Sequence, residues 1–357
     1  MNILFLGQSD NSNGGAASIL KQIAEYHLDK GADVYMLFLK RKQYGHWENT
    51  GYSNLHLYYG GGLHKFISNL RKIRAVKYDY SYNSVVKFTG FVGLLKRLRV
   101  LHVKTMVGRE STSIFLRFHG LRLLYYRMWY MVGYKAVNVL ICQSELMKRQ
   151  LLDHVPWLNN TARVIVNPNP VNVAQMNNRA NENVEGIPSS PFVVTAGRFI
   201  PEKGYDVLLD SFYEFSKNNS KWKLVILGDG SLRSEIEEQI DSLHLGEKVL
   251  LAGQVDNVFP WFKKAGLCVI SSRMEGFPNV LLQMMSQNDK VVSTLCAGGI
   301  DNIPGLITCP INDPNALCEA MNKCLEDDST RHRELFDKEL ENRSIDNFMS
   351  RIEQNNY

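Results

Sequence analysis

Apolar residues along the chain fall into short continuous runs, separated by longer stretches in which they recur every three to four positions. In the first half ILFLG (3–7), DVYMLFL (33–39), NLHLYY (54–59), YDYSYN (78–83), VLHVKTMV (100–107), VNVLICQS (137–144) and ARVIVNP (162–168) read as strands. Runs of this length bounded by turn residues suit strands covered on both faces. Between several of them the spacing becomes helical, as from about Ala17 to Lys30. The second half repeats the rhythm: FVVTAG (192–197), KLVILGDG (223–230), KVLLAGQV (248–255), LCVIS (267–271) and KVVSTLCAGG (290–299) as strands, with helices such as SLRSEIEEQIDSL (231–243) and NVFPWFKKA (257–265) between them. Strand and helix in alternation predict an α/β fold with mostly parallel sheets. The stretch MNNRANENVEGIPSSP (176–191) is polar and aperiodic and reads as a linker. The expected organisation is therefore two Rossmann-like domains, 1–180 and 187–340, with a charged helical end, 341–357, able to cross back to the first domain. A length of 357 residues agrees with more than one core.

Charge changes this picture more than composition does. Residues 1–180 carry 24 Lys+Arg against 9 Asp+Glu, a balance of +15, and residues 181–357 carry 17 against 27, a balance of −10. The basic excess lies in HKFISNLRKIRAVKY (64–78), KRLRVLHVK (96–104) and LRFHGLRLLYYRMWYMVGYK (116–135), where Arg and Lys alternate with apolar and aromatic residues. Such interleaving fits an anionic membrane surface, and it also fits a solvated basic face above a packed stripe. No nucleic-acid motif accompanies it. The start MNILFLGQSD has no basic leader and reads as a first strand rather than a signal peptide. No window approaches the ~20 apolar residues of a spanning helix. The six cysteines form no C-x-x-C pair, which suits reduced structural thiols and a cytoplasmic setting better than disulfides or a metal site.

Candidate chemistry concentrates where strands give way to helices. In SSRMEGFPNVLLQMMSQ (271–287), Gly276 and the free amides of a helix start suit an anion, and Pro278 fits the first helical turn. Glu275 stands at the mouth of that turn. A carboxylate beside an anion site is intelligible when the ligand also carries hydroxyl donors, as a nucleotide-sugar does. Gly197 and Arg198 follow one strand, with Lys203 on the loop behind them, and Gly228 and Gly230 follow the next. In an open parallel sheet such turns meet outside the strands' carboxyl ends. The pair Gly14–Gly15 after the first strand fits a phosphate or sugar turn, and equally simple turn punctuation. No G-x-G-x-x-G follows a first strand, which argues against a nicotinamide-dependent oxidoreductase.

The order G-R-x4-K-G (197–204), G-D-G-x-x-R (228–233) and E-G-F-P-N-V-L-L (275–282) resembles retaining glycosyltransferase family 4, of the GT-B fold. The likeness is specific over roughly 192–300 and loose before that. It implies two Rossmann-like domains facing a cleft, the second holding a nucleotide-sugar, UDP-linked, and the first an acceptor, lipid-linked or oligosaccharide. It implies transfer of a hexosyl or N-acetylhexosaminyl unit in bacterial surface-glycan synthesis, on the inner face of the cytoplasmic membrane, with no metal and no cofactor. On the resemblance, Arg198 and Lys203 hold the diphosphate and Glu275 the donor sugar's hydroxyls. Gly14, Gly15, Gly197, Gly228, Gly230, Val255, Gly276, Phe277, Pro278 and Asn279 line the donor site. Two positions depart from the family pattern. Where a second glutamate usually binds the ribose, this chain has Gln283, which accepts a hydrogen bond without charge assistance. In place of a histidine after a strand of the first domain stand Arg109 and Glu110, with His119 the nearest histidine, and these three mark the possible acceptor side. A non-catalytic relative is the alternative that Gln283 leaves open.

Overall fold

The computed structural model describes residues 1–10, 15–40, 47, 50–61, 63–327 and 329–354. Two compact units divide the chain, Met1–Pro170 with Ile345–Tyr357, and Val171–Ser344.

In the first unit the order is β1 (Asn2–Ser9), α1 (Gly15–Asp29), β2 (Asp33–Lys40), β3 (Leu55–Tyr59), α2 (Leu63–Ile73), β4 (Lys77–Ser84), α3 (Val86–Arg97), β5 (His102–Arg109), α4 (Ile114–Arg117), α5 (Gly120–Gly133), β6 (Val139–Cys142), α6 (Glu145–His154), α7 (Leu158–Thr161) and β7 (Arg163–Val166). The seven strands pair in the order β3-β2-β1-β4-β5-β6-β7, all parallel. The run ILFL is continuous because the sheet is covered twice. Ile3 and Phe5 pack with α1 on one face, and Leu4 and Leu6 enter the core of α3 and α5 on the other.

The second unit runs α8 (Val173–Ala180), β8 (Phe192–Ala196), α9 (Tyr205–Asn218), β9 (Lys223–Leu227), α10 (Arg233–Ser242), β10 (Val249–Gly253), α11 (Phe259–Lys264), β11 (Leu267–Ile270), α12 (Asn279–Gln287), β12 (Val291–Thr294), β13 (Ile307–Cys309), α13 (Pro314–Glu326) and α14 (Ser329–Asn342). Its six strands lie in the order β10-β9-β8-β11-β12-β13, again all parallel. Alternation repeats here: Phe192 and Val194 face one core, Val193 the other.

Three expectations need correction. The linker at 176–191 begins inside a helix, α8, which packs on α11 and α12 and belongs to the second unit, so the boundary lies at Pro170 rather than near 180. Its polar sequence hid it, but Asn172 caps it by accepting from the Gln175 amide at 3.0 Å. The charged end is not one helix: α14 stops at Asn342, and α15 (Ile345–Glu353) starts afresh and packs in the first unit on α1. There Phe348, Met349 and Ile352 are buried, and Arg163 donates to the carbonyls of Arg351, Ile352 and Gln354, closing the helix's negative end. Pro278 sits just before α12, with φ −76° and ψ 101°, rather than in its first turn.

Candidate functional site

Each sheet reverses its winding once, between β1 and β4 in the first unit and between β8 and β11 in the second. Such switch points are where ligands bind in open parallel sheets. In the second unit the loops leaving β8 and β11 are the two that carry Arg198, Lys203 and Glu275.

The β8 loop is shaped by backbone approach. A Cβ on Gly228 would lie 1.9 Å from the Gly197 carbonyl oxygen, and Gly228 has φ +142°, so only glycine serves here. A Cβ on Gly230 would lie 2.5 Å from the Phe199 oxygen. Phe199 N–H donates to the Asp229 carbonyl at 2.9 Å, which ties the turns after β8 and β9 together. Arg198 is exposed and makes no ion pair among the described residues. Gly204, at φ +62°, lets the loop pass within reach of the Ser271 carbonyl, which a Cβ would meet at 2.3 Å.

Glu275 is held from several sides. Its amide donates to the Cys296 carbonyl at 2.8 Å, and Thr294 Oγ1 donates to the Ser272 carbonyl at 2.6 Å, which pins the turn to the end of β12. Lys203 Nζ reaches Glu275 Oε1 at 2.6 Å, and Ser272 Oγ donates to the same oxygen at 3.2 Å. Among the described residues the other oxygen, Oε2, makes no hydrogen bond. Both partners of the ion pair are about four-fifths buried, with side-chain exposures of 17% and 20%. The charges are thus positioned yet reachable. A ligand phosphate can take Lys203 from Glu275, and the released carboxylate can then accept from sugar hydroxyls.

Sequence reasoning missed three members of this arrangement. Tyr205 is 3% exposed, its hydroxyl has no hydrogen-bond partner among the described residues, and a Cβ on Gly197 would lie 3.1 Å from that hydroxyl and 3.1 Å from Lys203 Cε. Burial, aided by the charge of Glu275, raises that hydroxyl above the usual phenol range. An aromatic directly after Lys-Gly at a helix start was the available signal. Ser272 is the second. Arg273 is the third: it donates to the Pro201 carbonyl at 2.8 Å and to Asn312 Oδ1 at 2.6 Å and pairs with Asp206, tying the two loops together. Burial pushes Asp206 upward, but the hydrogen bond and charge of Arg273 outweigh it and hold the carboxyl below its ordinary value.

The remaining expected donor residues lie around this centre. Phe277 is buried in the core with Arg343 4.8 Å above its ring, and Gly276 and Pro278 flank it. Asn279 opens α12, Gln283 sits half-buried one turn on, and Val255 is half-buried against the same core. In GGIDNIPG (298–305) Ile300 and Ile303 anchor the loop inward. Gly15 opens α1, and Gly14 lies outside the described residues.

At the strand ends of the first unit, Arg109 and Glu110 are 3% and 2% exposed. Arg109 donates to Ser84 Oγ at 3.3 Å and to Asn169 Oδ1, while its Nε has no partner among the described residues, and burial lowers its pKa to about 10. Glu110 accepts from Tyr130 at 2.9 Å and Tyr134 at 2.8 Å. Burial raises it to about 7, against the opposing pull of those hydroxyls and of Arg109. His119 is exposed and stands in extended backbone just before α5, without a side-chain capping bond, instead of lying inside a helix.

Residues 190–327 match the family model described as glycosyl transferases group 1. An uncharacterized glycosyltransferase of Methanocaldococcus jannaschii is 32% identical over 186 residues, 51% of this chain and 44% of its own length. The Campylobacter jejuni N-acetylgalactosamine-N,N'-diacetylbacillosaminyl-diphospho-undecaprenol 4-alpha-N-acetylgalactosaminyltransferase is 31% identical over 145 residues, 39% of each chain. The chain therefore matches less than two thirds of either relative's length. Among solved structures, Anabaena Alr3699/HepE in complex with UDP superposes with a TM-score of 0.78 at 16% identity, over 99% of both chains. The two parallel Rossmann-like sheets match such structures and give the chain the GT-B fold, with the loops inside the matched glycosyl transferases group 1 region meeting at the second sheet's switch point.

Proposed function

We propose that the chain is a retaining glycosyltransferase. It moves a hexosyl or N-acetylhexosaminyl unit from a nucleoside diphosphate, UDP, to a hydroxyl of a lipid-linked or oligosaccharide acceptor in bacterial surface-glycan synthesis. The observation that carries this reading is the Lys203–Glu275 pair at 2.6 Å, set at the switch point beside the exposed Arg198. The bond from the anomeric carbon to the diphosphate breaks, the acceptor oxygen bonds that carbon, and one proton is released with the nucleoside diphosphate. Arg198 and Lys203 offset the charge that develops on the departing diphosphate, so the reading includes no bound metal. Glu275 orients the sugar through its hydroxyls. The Campylobacter relative's name describes an acceptor on diphospho-undecaprenol, and HepE was solved with UDP; both support the choice of substrates. A lipid-linked acceptor brings the protein to the inner face of the membrane as a peripheral protein, and no helix among the described residues is long and apolar enough to cross one.

Release of nucleoside diphosphate from a panel of nucleotide-sugars, with a candidate acceptor and with EDTA present, tests the reading. Turnover of at least one donor, insensitive to EDTA, is expected. Nucleotide binding without turnover of any donor would favour the non-catalytic relative that Gln283 allows.

A further inference from the structure

Helix α5 is apolar on two opposite sides, and only one of them is used. Its inner side, Leu123, Tyr126, Trp129 and Tyr130, packs into the first unit's core. The fit is close: a Cβ on Gly93 of α3 would lie 2.1 Å from the Gly133 carbonyl oxygen, and one on Gly133 would lie 1.9 Å from that of Gly90. Glu110 adds a polar clamp by accepting from Tyr130 and Tyr134, so the helix is fixed to the end of β5.

The outer side carries Leu121, Leu124, Tyr125, Met128 and Met131, exposed by 86%, 63%, 45%, 44% and 66%. At ~100° per residue these five fall within an arc of roughly 120°, opposite the packed side. Arg122 and Arg127, both exposed, border the arc on its two flanks. No Asp or Glu occurs between Glu110 and Glu145, whereas Arg117 and Lys135 also lie in that span. Arg97, at the end of α3, donates to the Val132 carbonyl at the far end of α5, and the neighbouring Leu98 is 63% exposed.

We infer that this face lies in the plane of an anionic lipid bilayer, the five apolar side chains among the acyl chains and Arg122 and Arg127 at the headgroups. An apolar strip bordered by cations and free of carboxylates complements a surface that is apolar within and negative at its boundary. The surface of another folded protein would have to bury both arginines or match them with acids. The inference stands apart from the donor chemistry, since it rests on the first unit alone.

Sedimentation of the full-length chain with phosphatidylglycerol–phosphatidylcholine vesicles tests it. The wild type should bind and should keep a substantial bound fraction at about 1 M salt, where screening cuts charge attraction to ~3 Å. The double variant Leu124→Glu, Met128→Glu should bind at least tenfold more weakly with its thermal melt unchanged, because both side chains already face water. The double variant Arg122→Gln, Arg127→Gln should lose preference for the anionic lipid. Undiminished binding by the glutamate variant would overturn the inference. So would a wild type that ignores vesicles but forms a dimer which the glutamate variant abolishes, because the face would then serve a second copy.

Discussion

At the carboxyl ends of β8 and β11 the second unit leaves Arg198 exposed and Lys203 and Glu275 reachable, whereas at the carboxyl end of β5, one strand beyond the switch point of the first unit, Arg109 and Glu110 are buried and hydrogen-bonded. Both sheets are wholly parallel and reverse once. Topology therefore brings loops together in each, but what those loops can do depends on which polar groups remain unsatisfied. In the second unit charged groups are left exposed or reachable, as the proposed donor diphosphate requires. In the first, Glu110 accepts from Tyr130 and Tyr134 and clamps α5, and the surface left exposed is the apolar outer side of that helix.

The sharpest way to break this contrast is to neutralise the reachable carboxylate. Glu275→Gln should lower turnover by about a hundredfold or more while leaving nucleoside diphosphate binding nearly unchanged, since the amide keeps the shape and loses the charge beside the sugar. Steady-state rates beside a binding titration read the split, and a parallel loss of both would assign Glu275 to the nucleotide instead.

Next in size is the backbone of the same site. Gly228→Ala forces a Cβ toward an oxygen 1.9 Å away at φ +142°, and should cost about 2 to 3 kcal/mol of stability or displace the loop and weaken donor binding. A urea midpoint indistinguishable from wild type, with donor binding intact, would show that the turns are not locked together.

Glu110→Gln probes the buried network of the first unit through pH. Burial raises Glu110 from an ordinary 4.5 to about 7, so between those values the folded chain keeps a proton that the unfolded chain has lost. Stability accordingly falls as pH rises through that window. His27, buried with neither ring nitrogen paired among the described residues, is lowered from 6.5 to about 4. It works in the opposite sense, because the unfolded chain gains a proton first as pH falls. The variant should therefore be less destabilised than wild type by rising pH, by on the order of 2 kcal/mol across the window, in urea unfolding at stepped pH. Identical slopes in the two proteins would remove Glu110 as the titrating group.

Smallest is the effect at Gln283. Gln283→Glu adds a charged acceptor on α12 and should tighten nucleoside diphosphate binding by about 1 kcal/mol if it reaches the ribose. Weaker binding would mean that Gln283 is matched to another contact.

Much of this was readable from the chain because the physics was local. Runs such as ILFL and LCVI announce strands covered on both faces, and the glycines after β8 and β9 mark turns that no side chain can occupy. The rest depended on contacts distant in sequence. The short strand Ile307–Cys309 and the helix Pro314–Glu326 went unrecognised, since three residues show no period and the helix is half polar. The helix Val173–Ala180 was hidden by its asparagines. The basic and aromatic stretch 116–135 signalled a surface, but only packing shows which side of α5 is spent on α3. Nor could spacing show that Glu110 would meet hydroxyls 20 and 24 residues away.

The central claim is that the loops leaving β8 and β11 form one site for the donor's diphosphate. Calorimetric titration of nucleoside diphosphate into wild type, Arg198→Ala and Lys203→Ala, each checked by circular dichroism, tests it most directly. The account predicts saturable binding by the wild type and a loss of about tenfold or more in each folded variant, the worth of one charge-assisted contact. Equal affinity in all three proteins would contradict it and place the diphosphate elsewhere.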